Sequence, residues 1–168
     1  MPSSFLLFFY AVSITMRISI GSDHRGVHIK TRLIAYLTSA GHEVVDLGTD
    51  GESSVDYPDF ASAVCRRVAQ GEDERGILIC GTGIGMAIAA NKFKGVRAAN
   101  CYDQVMAELS RRHNNVNVLC LPGDLIGDGP IDELVNIWLT TEFEAGRHER
   151  RLDKIAQIED ENEPWHGA

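Results

Sequence analysis

No stretch of this sequence is apolar enough to cross a bilayer. The longest apolar run, Phe5 to Val12 (FLLFFYAV), is eight residues, far short of the roughly 18 that a spanning helix needs. It also lacks the marks of a secretory leader, since no Lys or Arg precedes it and no convincing small-residue cleavage site follows. Basic charge is scarce. The chain has 16 Lys and Arg against 24 Asp and Glu, for a net charge of −8, and its pI is near 5.2. That balance excludes the basic footprint a nucleic acid or anionic membrane requires, while leaving room for a local anion site built from a few arginines. Cysteines number only four, at 65, 80, 101 and 120. They show no CxxC pair and no Cys/His ligand spacing, so neither a zinc site nor a disulfide framework is expected, and reduced thiols of a cytoplasmic protein are. Repeats, linkers and low-complexity segments are missing too.

What is present is ordinary globular composition, 44% apolar and 24% charged over 168 residues, enough for one domain with a proper core. The domain is expected to cover residues 16–162. Residues 1–15 are read as an upstream extension outside the fold, and 163–168 as a frayed tail. From Met16 onward, β-branched runs alternate with helical stripes. Strands are expected at Arg17–Ile20, Glu43–Leu47, Gly76–Cys80, Val96–Asn100 and Val116–Leu121. Between them, Ile29, Leu33, Tyr36, Leu37 and Ala40 share one helix face, and Phe60, Ala61, Val64, Cys65 and Val68 another. Helical stripes also fall at Val105, Met106 and Leu109, which are expected to face inward, at Ile131, Leu134, Val135 and Trp138, and at Leu152, Ile155 and Ala156. This alternation implies an α/β, three-layer Rossmann-like fold, a five-stranded parallel sheet with helices on both faces. Ligands of such sheets bind at the carboxyl ends of strands, near the point where strand order reverses.

The residues after the strands therefore carry the chemical argument. Cys80-Gly81-Thr82-Gly83-Ile84-Gly85 places a thiol at the tip of a buried strand, followed by three alternating glycines. Their free N–H groups suit an anion, and the same field would make the thiol a usable base or nucleophile. A tight turn with a buried structural thiol is the plainer alternative. A dinucleotide fingerprint is excluded because the third glycine comes one residue early. A C-x5-R phosphatase loop is excluded because Met86 stands where arginine would be. Asp23 and His24 follow the first strand into the same crevice, where Asp23 serves either a ligand or a helix cap. His113 and Asn114 end a helix, a place for a catalytic acid or for a plain partner of the helix dipole. Arg147 and Arg151 are four apart; on a helix they would form a fork for a phosphate, or simply solvated charge. His28, His42 and His166 have no supporting context.

Taken together, SDHRG, DYPDFA, GILICGTGIGMAIAANKFKGVRAA, LSRRHNNVNVL and GRHERR, in this order and spacing, resemble the ribose-5-phosphate isomerase B family, which also contains the galactose-6-phosphate isomerase subunits. The resemblance runs from Met16 to about Asn162. It implies an aldose–ketose isomerase acting on a small sugar phosphate without metal or organic cofactor. Cys80 would move the proton between C1 and C2, and His113 would open the sugar ring. Asp23, His24, Gly81, Thr82, Gly83, Ile84, Gly85 and Asn114 would bind substrate, with Arg147 and Arg151 on the phosphate. Some members lack the cysteine and carry Glu just past the loop; here that place is Met86, so the chain resembles the cysteine-base group. The family also implies a homodimer or dimer of dimers whose sites lie between subunits, His113 and Asn114 serving the neighbour's Cys80. Ribose 5-phosphate is the expected substrate. A hexose 6-phosphate of the allose or galactose type is the alternative, and a non-catalytic sugar-phosphate sensor is a more distant one.

Overall fold

The structure, a computed structural model, describes residues 15–161. The tail and all of the expected extension except Thr15 lie outside the described residues. Five strands form one sheet: β1 (Arg17–Ser22), β2 (Glu43–Asp46), β3 (Arg75–Cys80), β4 (Ala98–Asn100) and β5 (Val118–Pro122). Their order is β2-β1-β3-β5-β4, and every pairing is parallel. Six helices connect and flank them: α1 (Val27–Ser39), α2 (Tyr57–Ala69), α3 (Ile84–Ala90), α4 (Gln104–Asn114), α5 (Asp128–Thr140) and α6 (Glu149–Glu161). Among the described residues no helix is long and apolar enough to cross a membrane.

Alternation along the strands sorts the core into two layers. Ile18, Ile20, Ile77, Ile79, Leu119 and Leu121 face α1 and α5, where Leu33, Leu37, Ile131, Val135 and Trp138 are fully buried. Leu78, Val118 and Cys120 face the other way, onto Val64, Cys65, Met86 and Ala90 of α2 and α3. Trp138 is the largest fully buried side chain, and truncating it to Ala would cost about 3–5 kcal/mol. Glycine makes the close packing of α2 feasible: a Cβ on Gly76 would meet Val64 at 2.8 Å.

Two stripes do not face the core. On α4, Val105, Met106 and Leu109 are 63%, 40% and 38% exposed, while Ala107, Ser110 and Arg111 turn inward. On α6 no residue is buried. The α4 stripe corrects an expectation, and both have one cause: periodicity marks a face as apolar without saying what covers it. Two other shifts bear on the site. Helix α6 begins at Glu149, so Arg147 lies in the turn before it and only Arg151 is helical. Asp23 caps no helix; the N-cap of α1 is Gly26, which makes no side-chain cap bond.

Candidate active site

Strand order reverses between β1 and β3, which are neighbours. The Asp23–His24 turn and the Cys80–Gly85 loop therefore emerge side by side at the carboxyl edge of the sheet. Asp23, 5% exposed, donates its N–H to Ile79 O at 3.2 Å and accepts the Arg25 N–H on Oδ1 at 2.9 Å. Its carboxylate thus fixes the turn that presents His24. The His24 ring accepts the Val55 N–H on Nδ1 at 3.3 Å, which leaves Nε2 to carry the proton.

Cys80 ends β3 with its thiol buried, and its Sγ accepts the Gly83 N–H at 3.2 Å. Gly83 has φ +74°, and a Cβ there would land on the Asn100 amide. That amide is held in turn, donating to Thr82 O at 3.0 Å and to Tyr102 Oη at 2.9 Å. Gly85 lies under the Tyr57 ring, where a Cβ would come within 2.7 Å. Ile84 is half exposed and Thr82 is exposed, with the Thr82 Oγ1 accepting the Ile84 N–H at 3.4 Å. The loop is thus a rigid backbone surface on which side chains larger than hydrogen do not fit at any of its three glycines. The other thiols differ in kind. Burial pushes Cys65 up to about 12, Cys101 up to about 11, and Cys120 well above the ordinary thiol value. They are small hydrophobes of the core.

The remaining expected site residues lie elsewhere. Helix α4 leaves the carboxyl end of β4 and returns to the amino end of β5, spanning about 16 Å. His113 and Asn114 close it at the amino edge of the sheet, where Arg97 donates to Asn114 O at 3.1 Å. The His113 ring stacks on His148, centroids 4.2 Å apart and planes within 2°. Both Nε2 atoms lie 3.8 Å from Glu144 Oε2, and Arg147 donates to His148 Nε2 at 3.2 Å. Arg112 pairs with Glu144 and holds its carboxyl below the usual range. Burial, then the neighbouring His113, Arg147 and Arg151, push His148 below the ordinary histidine value. His113, Glu144 and His148 bring ligand atoms within 4.8 Å of one another, as a metal would require. With Arg112 on the carboxylate and Arg147 on the imidazole, the surrounding charge suits an anion better. A cavity of about 940 Å³ lies under α6 and reaches Asn114 and Arg97, not Cys80. A smaller one of about 480 Å³, lined by His24, Arg25, His28 and Thr31, adjoins the Cys80 crevice.

Within one chain, then, Asp23, His24, Cys80 and Gly81 to Gly85 come together, as do His113, Asn114, Arg147 and Arg151, at opposite edges. Sequence reasoning passed over Arg25, Asp124, Asn100, Glu144 and His148. Arg25 stood in SDHRG, and Asp124 follows the Pro122-Gly123 strand end, so position alone marked both.

Residues 18–155 match the family model described as Ribose/Galactose Isomerase. Ribose-5-phosphate isomerase B of Escherichia coli is 45% identical over 143 residues, covering 85% of this chain and 96% of the relative. The solved structure of Clostridium thermocellum ribose-5-phosphate isomerase B superposes with a TM-score of 0.87 at 47% identity, covering 88% of this chain and 100% of that one. The Mycoplasma genitalium enzyme, solved with bound ribulose-5-phosphate, gives 0.84 at 43% identity over 87% and 97% of the two chains. A five-stranded parallel α/β sheet with a thiol and glycine loop at its switch point, matched over nearly its whole length, places this chain in the ribose/galactose isomerase family.

Proposed function

We propose that this chain isomerises ribose 5-phosphate to ribulose 5-phosphate with Cys80 as the carbon-acid base. The observation that carries this reading is the Cys80 thiol, set at the switch point with the Gly83 N–H 3.2 Å from its sulfur. The thiolate removes the C2 proton of the open-chain aldehyde and returns it to C1. Meanwhile O1 gains a proton and O2 loses one, so the carbonyl moves without net oxidation. Loop amides at Gly81 to Gly85 stabilise the enediolate oxygens between the two transfers. No metal or organic cofactor enters the scheme.

His113 opens the ring, and Arg147 and Arg151 hold the phosphate; both roles are part of the proposal. Since these residues lie at the edge opposite Cys80, they act on substrate bound at the Cys80 of a second copy. A homodimer or dimer of dimers with composite sites follows. The apolar side chains left exposed on α3 and α4, among them Ile84, Ile88, Val105 and Met106, supply surface for such contacts. A cytoplasmic location fits the four unpaired cysteines.

The test is ketose formation from ribose 5-phosphate without added metal, with allose 6-phosphate in parallel. Turnover of ribose 5-phosphate, lost in Cys80→Ala, is the expected result. A wild-type protein that yields no ketose from it would overturn the reading.

A further inference from the structure

The strand order β1-β3-β5 puts Cys80, at the tip of β3, between the loops that follow β1 and β5. Arg25 belongs to the first loop and Asp124 to the second. The Arg25 Nε donates to Asp124 Oδ2 at 2.6 Å, and its Nη2 contacts the same oxygen. The ion pair therefore crosses over the tip of the strand that bears the thiol. It rests on the loop: a Cβ at Gly81 would meet Asp124 Oδ2 at 2.6 Å and Arg25 Nε at 2.8 Å. Both ends are anchored. Gly123 N–H donates to Cys80 O at 2.8 Å and Asp124 N–H to Gly81 O at 3.1 Å, while the Arg25 N–H is tied to Asp23. Arg25 feels Asp124 most, then Asp23 and Cys80, each of which raises its pKa.

Stability does not account for this strap. Its side chains are 57% and 34% exposed, and solvent screens such a surface pair until it contributes little. Its position has a larger consequence, because no substrate atom fits between the strap and Gly81. A sugar reacting at Cys80 must end against it or run the other way.

We propose that the Arg25–Asp124 pair is a length gauge, closing one end of the Cys80 crevice so that a five-carbon sugar phosphate is accepted over a six-carbon one. The inference rests on the proposed isomerase activity and names the structural origin of its substrate class. One extra carbon unit against a fixed wall discriminates by about tenfold or more.

The experiment measures kcat/KM for ribose 5-phosphate and allose 6-phosphate in the wild type, Arg25→Ala, Asp124→Ala and Arg25→Lys. Removing either member of the strap should lower the pentose-to-hexose ratio by about tenfold or more, chiefly because hexose turnover rises. Arg25→Lys, which keeps a long cation beside Asp124, should hold the ratio closer to wild type. If both Ala variants keep the ratio within about twofold of wild type, the gauge is refuted, even where both rates fall together as a merely loosened loop would make them. Wild-type turnover of ribose 5-phosphate, read in the same assay, tests the activity separately.

Discussion

At the carboxyl edge of the sheet the binding surface is mostly backbone, a glycine loop pinned by Asn100 and Tyr57. At the amino edge it is side-chain charge: His113, His148, Glu144, Arg112 and Arg147 drawn from α4 and from the segment before α6. The first region offers a thiol and N–H donors; the second offers imidazole and guanidinium. Neither alone can abstract a carbon-bound proton, open a ring and hold a phosphate. Under the proposed function, the difference teaches that one chain carries two half-sites, the carboxyl edge of one copy working with the amino edge of another.

The sharpest way to break that comparison is complementation. Cys80→Ala and His113→Asn should each lose on the order of 100- to 10,000-fold in turnover of ribose 5-phosphate. Co-refolding the two should restore about a quarter of wild-type activity, since a two-fold dimer of mixed parentage has one intact site. Recovery of nothing would place both groups in one protomer's site or remove one of them from the reaction. Next in size is the backbone loop. Gly83→Ala forces a side chain into a left-handed conformation at a cost of about 1–2 kcal/mol and displaces the Asn100 amide. Thermal unfolding should register that cost, and activity should fall further than the stability loss explains.

Smaller effects are expected at the charged edge. Arg151→Ala should lower kcat/KM by about 10- to 100-fold, roughly 1.5–3 kcal/mol, and weaken inhibition by inorganic phosphate. An unchanged Michaelis constant and phosphate inhibition would return Arg151 to solvated charge. The smallest effect concerns pH. Because His148 resists protonation in the folded chain, the unfolded chain binds more protons below about pH 6.5, so stability should decline as pH falls through that value. His148→Gln should flatten the decline in Tm between about pH 7 and 5. A slope identical in both proteins would mean that His148 does not titrate as its surroundings require.

The same contrast explains what could be read from the sequence. Contiguous features were legible. The Cys80–Gly85 loop is six successive residues; the α5 stripe is buried throughout, and so is the α2 stripe except for half-buried Phe60. Features that depend on sheet order were not. Arg25 and Asp124 meet only because β3 lies between β1 and β5, and no local pattern encodes that adjacency. The α4 stripe is apolar and so reads as core, whereas α4 turns Ala107 and Arg111 inward instead. Sequence spacing also joined Arg147 and Arg151 into one helical fork, whereas the structure starts the helix between them.

Helix α6 has a consequence of its own. It runs 13 residues with none buried, and a free helix of that length is marginal in water. In an isolated chain its amide protons should exchange with solvent far sooner than those of α1 or α5, whose inner faces are sealed against the sheet. Any slowing of exchange in α6 as protein concentration rises would report contacts made by that helix alone. Isotope uptake at Leu152 to Ile158 would then measure association directly, independent of any substrate.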